Sequence, residues 1–190
     1  MIAHLIDAHP DFNPRAWLDA LPPLDDFGVM IFNILGQQIS VAASRSILGR
    51  LITTFGGHTP TPTELLAAEA ELIRGAGLSR AKVATLRAVA EVFLDGSLDA
   101  TVLQELSDDE VLARLTAIRG VGPWTAQGFL IFALDRQDVV LAGDLALRRV
   151  ISRAYGLAAL PSQDEVLTLA EAWRPHRTLA TAYLFSSEFE

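Results

Sequence analysis

Apolar residues recur along this chain at helical spacing, and no stretch shows the sustained alternation of apolar and polar positions that marks a β-strand. A first apolar stretch covers residues 27–55 and is interrupted at residues 36–38, which read Gly-Gln-Gln. Ser40 is suited to cap the start of the second part. The pattern therefore predicts two helices joined by a polar elbow, within an all-α fold.

Helix-start signals recur in the rest of the sequence. Two Ser-x-x-Glu segments, at residues 107–110 and 162–165, have the form of a capping box and predict helices that begin just after each serine. The proline at position 123 suits the first turn of a helix through residue 134. Asp144 can cap a further helix over residues 145–155.

Length and composition limit the class of protein. A chain of 190 residues with 51% hydrophobic residues is long enough to fold as one compact unit. The chain has no cysteine, which excludes disulfide bonds, thiolate metal sites and cysteine-held iron–sulfur clusters. It shows no secretion signal and no charge-free run of about 20 residues. We therefore expect a cytoplasmic protein without membrane contact, and a monomer.

The charge pattern supports two interpretations. A net charge of −8 argues against nucleic-acid binding, since phosphate binding usually needs a basic surface. Residues 91–110 hold seven acidic side chains and no basic one, whereas residues 114–153 hold six arginines and three aspartates. The chain is then either an acidic protein with one basic stripe, or a protein with ordinary solvated charges on its helix faces.

Residues 115–126 contain a helix end, a Gly-x-Gly-Pro turn and the start of a new helix. Gly120 and Gly122 can enter positive φ and expose their amides. Such amides, at the positive end of a helix dipole, can bind a phosphate oxygen of DNA without reading the base sequence. The same residues are also common between two helices of any function, so the turn alone leaves both interpretations open.

The sequence around this turn resembles DNA-3-methyladenine glycosylase II, the alkylation-repair branch of the helix-hairpin-helix DNA glycosylase superfamily. The resemblance includes the turn, IRGVGPWTA at residues 118–126, and Asp144, nineteen residues after Thr125. Two more segments are similar to that family: ILGQQIS at residues 34–40, and WRPHR at residues 173–177. The turn and the aspartate indicate the superfamily, and the other two segments indicate its alkylation branch.

This resemblance implies an organisation in two α-helical lobes that form a single glycosylase unit. One lobe is expected at roughly 27–112, the other from the N-terminal segment together with 113–190, and the hairpin at 118–123. We expect this helical core without the extra N-terminal β-sheet domain that some relatives carry. Bifunctional relatives place a Schiff-base lysine just after the hairpin, where this chain has Trp124. Its only lysine, Lys82, is far from that motif in the sequence, so no lyase activity is expected.

Asp144 is the catalytic carboxylate that the resemblance implies. An aspartate before a helix is also an ordinary N-cap, and the two roles are compatible. Cleavage of an N-glycosidic bond builds positive charge on the deoxyribose, which a nearby carboxylate can stabilise, or the carboxylate can deprotonate the incoming water. An alkylated purine already carries positive charge, so its departure requires no protonation by the enzyme.

Further site residues follow from the same resemblance. Trp124 and Phe185 are expected in a base pocket, because aromatic faces attract a cationic base, while Trp173 is expected in the core. Gly128 is expected in the same pocket, at a position where related enzymes often carry a larger side chain.

Gln38 is expected to enter the gap that a flipped nucleotide leaves in the duplex, while Gln37 organises the elbow by hydrogen bonds. Contacts to the DNA backbone are expected from four residues of the hairpin region and one arginine: Gly120, Val121, Gly122, Thr125 and Arg148.

The function expected from these features is that of a monofunctional DNA glycosylase, which flips 3-methyladenine-type bases out of duplex DNA and hydrolyses the N-glycosidic bond. Its partner is then double-stranded DNA with damaged bases. The alternative is a non-catalytic helix-hairpin-helix module for DNA binding or lesion recognition. A third interpretation, an all-α protein-interaction domain, fits the acidic charge. No cofactor or metal site is expected, apart from the monovalent cation that the resemblance implies on the carbonyl oxygens of Thr116, Ile118 and Val121.

Overall fold

The computed structural model describes residues 12–13 and 21–186. Within this part of the chain all regular secondary structure is helical and no β-strand occurs, which confirms the all-α prediction. No described helix is long and apolar enough to cross a membrane. The helices are α1 (Asp26–Gly36), α2 (Val41–Thr54), α3 (Pro62–Ala67), α4 (Ala70–Gly75), α5 (Arg80–Leu94), α6 (Ala100–Gln104), α7 (Asp108–Thr116), α8 (Pro123–Phe132), α9 (Leu145–Ala154), α10 (Gln163–Ala170) and α11 (Arg177–Ser186).

The predicted helix starts are confirmed by their hydrogen bonds. Ser40 Oγ accepts from the amide of Ala43 at 3.2 Å and begins α2. Complete capping boxes begin α7 and α10, at residues 107–110 and 162–165. The predicted end of α8 is two residues too long, since the helix stops at Phe132.

Residues 22–134 form one compact unit. Its centre is α1, which packs against α2, α5 and α8. Phe27 of α1 meets the edge of Phe93 at a centroid distance of 5.1 Å, and Phe93 meets Phe129 of α8 at 6.4 Å. Met30 and Phe129 are fully buried, so the apolar faces of the two helices supply this core.

The other compact unit contains residues 135–186 and the described N-terminal residues Phe12 and Asn13. Here α9 packs against α11, and Phe12 contacts Tyr183 at a centroid distance of 4.6 Å. Trp173 is buried and its Nε1 donates to the hydroxyl of Tyr155 at 3.0 Å, which confirms its predicted place in the core. The remainder of the N-terminal segment, predicted to join this lobe, lies outside the described residues apart from Leu21.

The boundary between the two units lies after Leu134, whereas the sequence led us to expect it near residue 112. The hairpin and α8 therefore belong with residues 22–134. The reason is packing: α8 is buried against α1 and α7, and such contacts between distant segments leave no local mark in the sequence.

Candidate functional site

The hairpin connects α7 to α8 through residues 117–122. Gly120 has a φ of +88°, as predicted, but Gly122 is extended at φ −95° and ψ 173°, so the prediction of positive φ for Gly122 is wrong. Within the described residues the amide of Val121 donates to the carbonyl of Ile118 at 3.0 Å, whereas the amides of Gly120 and Gly122 have no acceptor. These two amides lie beside the positive end of the α8 dipole, an arrangement that suits an anionic ligand.

Burial divides the hairpin residues that were expected to contact DNA. Val121 is 5% exposed and Thr125 is 1% exposed, whereas Gly120 is exposed and Gly122 half-buried. The hydroxyl of Thr125 accepts a hydrogen bond from Gln37 Nε2 at 2.9 Å. The side chains of Val121 and Thr125 therefore hold the turn from inside, and the contact of these two residues with the DNA backbone stays a prediction.

Gln37 connects the elbow to the hairpin. Its side-chain amide donates to the carbonyl of Gly120 at 3.1 Å as well as to Thr125, which confirms the organising role predicted for it. The next residue, Gln38, is exposed and has a φ of +61°, a conformation that is uncommon for a residue with a side chain. One glutamine of the pair is thus held inside the elbow and the other is presented to solvent.

Lys82 is a second support of the elbow, and the sequence analysis missed it. Its ammonium donates to the carbonyls of Leu35 at 2.6 Å and of Gln37 at 3.0 Å. The only signal in the sequence was that every other strongly basic residue of the chain is an arginine.

Trp124 and Gly128 of the predicted base pocket lie four residues apart on α8, and therefore on one face of the helix. Trp124 is half-buried, with its ring beside Gly36 of the elbow. A Cβ at Gly36 would lie 3.4 Å from Cη2 of that ring, so the glycine leaves room for the tryptophan.

Asn33 is a polar neighbour of Gly128 that the sequence analysis also missed. A Cβ at Gly128 would lie 3.0 Å from Asn33 Oδ1, which is closer than such contacts normally come. Asn33 is 4% exposed, and its Nδ2 has no hydrogen-bond partner in the described part of the chain. Leaving such a group unsatisfied costs about 1–3 kcal/mol, so this amide is available to a polar group that comes close. A single Asn within the apolar run of residues 27–35 was the signal for it.

Asp144 lies in the unit of residues 135–186, at the N-cap of α9. Its Oδ1 accepts from the amide of Leu147 at 2.9 Å, and its own amide donates to the carbonyl of Leu141 at 2.8 Å. Asp144 is half-buried, and the neighbouring Gly143 is exposed. The N-cap role is thus confirmed, and it fixes the position of the carboxylate relative to α9.

The arginines of this unit differ in how firmly they are held. Arg148, expected on the DNA backbone, is half-buried and its Nε donates to the carbonyl of Pro161 at 2.7 Å, so part of its guanidinium serves the fold. Arg177 pairs with Asp138 at 2.6 Å, and its hydrogen bonds lower the pKa of that carboxyl despite the opposing effect of burial. Arg149, near the start of α9, is exposed, and so is Arg153 in the last turn of the same helix. Because of these contacts, Arg149 fits a phosphate contact better than Arg148.

Phe185, the remaining pocket candidate, lies in the last turn of α11 and is half-buried. Its neighbours Tyr183 and Leu184 are buried in the core of the same unit. Phe185 is thus the aromatic residue of this turn that keeps an accessible surface.

Comparison with known proteins finds a family profile described as HhH-GPD superfamily base excision DNA repair protein, which matches residues 31–175. The chain is 31% identical over 179 residues to DNA-3-methyladenine glycosylase 1 of Schizosaccharomyces pombe, over 93% of this chain and 77% of that protein. It is 26% identical to DNA-3-methyladenine glycosylase 2 of Escherichia coli, over 87% of this chain and 58% of that protein.

A solved structure shows the same similarity in three dimensions. The structure of the Schizosaccharomyces pombe 3-methyladenine DNA glycosylase Mag1 in complex with abasic DNA superposes with a TM-score of 0.89 at 29% identity. The match covers 99% of this chain and 91% of that one. The family profile spans the elbow, the hairpin and Asp144, so all three belong to the matched region.

Proposed function

The chain belongs to the HhH-GPD superfamily of base excision DNA repair proteins, and on this premise we propose that it is a monofunctional DNA glycosylase that removes alkylated bases of the 3-methyladenine type from duplex DNA. The observation that carries the proposal is the match to a 3-methyladenine DNA glycosylase in complex with abasic DNA, at a TM-score of 0.89 over 99% of the chain. Abasic DNA is what remains after a base has been removed by hydrolysis.

In the proposed reaction the bond between the purine nitrogen and C1′ breaks, and its electron pair leaves with the base. Water adds to C1′ and loses a proton, so that an abasic sugar and a free base result. Asp144 opposes the positive charge that develops on the sugar, or accepts the proton of the water. Its fixed place at the N-cap of α9 supports this role, because a preorganised carboxylate needs no reorientation in the transition state.

DNA binding is assigned to the exposed parts of the hairpin and elbow. The amides of Gly120 and Gly122 donate to a phosphate, Arg149 adds a charge, and Gln38 fills the vacancy after the base has left the stack. The conformation of the elbow supports this role, since the Gln38 side chain is already exposed and needs little rearrangement to enter the duplex.

The proposed chemistry needs no redox cofactor. Within the described hairpin the carbonyls of Thr116 and Val121 accept no backbone hydrogen bond, whereas that of Ile118 accepts from Val121. The carbonyl oxygens of Thr116, Ile118 and Val121 would hold a monovalent cation, which would supply positive charge for DNA binding, and we include such a cation in the proposal. A cytoplasmic location is also part of the proposal.

A non-catalytic DNA-binding module is the second candidate. The hairpin and elbow would serve such a module equally well, whereas Asp144 would then act only as an N-cap. The two candidates differ in whether base is released, and an assay of base release separates them.

The experiment that tests the proposal is a glycosylase assay with the purified chain on a set of defined duplexes. Each duplex carries one lesion, such as 7-methylguanine, 3-methyladenine, 1-methyladenine or hypoxanthine, and alkali is added afterwards to convert abasic sites into strand breaks. Release of alkylated purines from duplex DNA is expected. Binding to these duplexes without any release would instead identify a recognition module.

Sodium borohydride should trap no covalent complex between this protein and lesion DNA. A lyase needs an uncharged amine close to C1′, but this chain has Trp124 after the hairpin. Lys82, its only lysine, donates to two backbone carbonyls of the elbow. The measurement is gel analysis under conditions of complete base release, where strands should also stay intact until alkali is added.

A known bifunctional glycosylase on the same gel controls for the trapping chemistry. A trapped band for this protein that persists in Lys82→Met would identify another amine, with the N-terminal amine as the first candidate. The monofunctional assignment would then be withdrawn.

A further inference from the structure

One face of α5 contacts both the hairpin and the elbow. Lys82 and Thr85 lie one turn apart on that face. Thr85 lies so close to Gly120 that a Cβ at the glycine would overlap its hydroxyl, and the ammonium of Lys82 donates to the carbonyls of Leu35 and Gln37. Neither side chain is part of the segments that carry the family resemblance. Together they support the hairpin and the elbow, the two elements to which DNA binding is assigned.

Lys82 occupies a position that is unfavourable for a cation. It is the third residue of α5, after the N-cap Ser79, where the positive end of the helix dipole repels an ammonium. Partial burial also lowers its pKa by desolvation. A lysine at such a place needs a compensating interaction, which the carbonyls of the elbow supply.

The two carbonyls lie at the C-terminal end of α1, where backbone acceptors lack partners within the helix. The last turn of α1 has no basic residue of its own, so Lys82 brings a cation from α5 to the negative end of the α1 dipole. The carbonyl of Gln37 belongs to the peptide bond that precedes Gln38. Its hydrogen bond at 3.0 Å therefore holds the peptide plane on the N-terminal side of Gln38, whose φ is +61°.

Gln38 has no such support of its own. It is exposed, and its side chain has no hydrogen-bond partner among the described residues. The direction in which this side chain leaves the protein is consequently set by the backbone of the elbow. A guanidinium would spread its donors in a plane, whereas a compact ammonium can serve two converging carbonyls.

We propose that Lys82 is a positioning residue for DNA opening, a role that rests on the proposed glycosylase function. By holding the carbonyls of Leu35 and Gln37, it keeps the elbow in the conformation that presents Gln38 to the gap left by a flipped base. The conformational entropy of ordering Gln38 is then already lost when the protein folds, so base extrusion does not have to compensate for it.

The test is a double-mutant cycle with Lys82→Met and Gln38→Ala. Lys82→Met keeps a long apolar stem and removes the ammonium. Excision of 7-methylguanine paired with cytosine is measured under single-turnover conditions. Each single variant is expected to lose about tenfold in rate, and the double variant to lose no more than Gln38→Ala alone. Multiplicative losses in the double variant would mean that Lys82 acts independently of Gln38, and the proposal would be overturned.

A second readout varies the cost of opening. The substrate for this readout carries an abasic-site analogue opposite the lesion, so the lesion has no pairing partner and its extrusion needs less free energy. A preorganised Gln38 side chain then contributes less to the excision rate. The Lys82→Met rate on that substrate is expected within about threefold of the wild-type rate. An equal loss on both substrates would indicate general damage to the fold and would count against the proposal.

Arg80→Met is the matched control, because it removes a cation from the same helix end and Arg80 is exposed, with no hydrogen bond to the elbow among the described residues. It should excise from the paired substrate at the wild-type rate. If thermal denaturation shows that Lys82→Met is unfolded at the assay temperature, the cycle is repeated with Lys82→Gln, which replaces the ammonium by a shorter, neutral amide and has the same two outcomes. Wild-type protein that releases no base would refute the glycosylase function, whereas active wild type with an additive cycle would refute the role of Lys82 alone.

Discussion

Replacement of Asp144 by asparagine should leave the protein folded and able to bind lesion DNA, but slow base excision by at least about a hundredfold. Asparagine has nearly the same size, and its side-chain oxygen can still accept the hydrogen bond from Leu147 that begins α9. What it lacks is the negative charge that opposes the cationic sugar in the transition state. Single-turnover excision on a methylated duplex, with binding by mobility shift and thermal denaturation in parallel, measures the three properties separately.

Asp25→Asn is the matched control for this change. Asp25 is the N-cap of α1 and accepts from the amide of Gly28 at 2.7 Å, so the same substitution is made at the same kind of position. The control should keep its excision rate. An Asp144→Asn protein as active as this control would remove Asp144 from the reaction and leave it as an N-cap only, as the non-catalytic interpretation holds.

Helix starts were predictable because their signals are local. In Ser107 and Glu110, as in Ser162 and Glu165, donor and acceptor lie three residues apart, and the sequence contains the whole interaction. Thr61 and Glu64 form a third complete capping box, with threonine in place of serine, which the sequence analysis did not identify.

Contacts between distant segments were not predictable from one sequence. Gln37 reaches Gly120 across 83 positions, and Lys82 reaches Leu35 across 47. These contacts place the hairpin in the unit of residues 22–134 and bury Thr125, which the motif alone suggested as a DNA contact. A motif identifies which residues act together, but the side that each residue turns to solvent depends on packing partners elsewhere in the chain.

The unusual feature of the predicted base pocket is also a matter of packing. The resemblance predicted only that Gly128 is smaller than the residue common in relatives. The structure adds that Asn33 occupies the space next to it, with an unsatisfied amide nitrogen. A larger residue at position 128 would therefore have to displace Asn33, so the packing of the two positions is coupled.

The two glycines of the hairpin should differ sharply when each is replaced by valine. Gly120→Val combines a β-branched residue at φ +88° with overlap between its Cβ and Thr85 Oγ1, so we expect a loss of stability of about 1–3 kcal/mol or more. Gly122 has an ordinary extended backbone, and a Cβ there meets nothing within 4 Å. Gly122→Val should thus fold with less than about 1 kcal/mol lost, mostly from the poorer N-cap. Thermal denaturation of the two variants checks this difference.

Because Gly122→Val is expected to stay folded, it isolates the approach of the hairpin to DNA. The branched side chain keeps a phosphate from the amides of Gly120 and Gly122, and a phosphate is the same group in damaged and undamaged duplex. Affinity for both duplexes is therefore expected to fall by a similar factor, about tenfold or more, in titrations at one fixed salt concentration. The excision rate at saturating protein should change little, since the substitution lies outside the reaction. If binding to lesion DNA alone were weakened, the hairpin would contact the flipped base, and its assignment to the DNA backbone would have to be replaced.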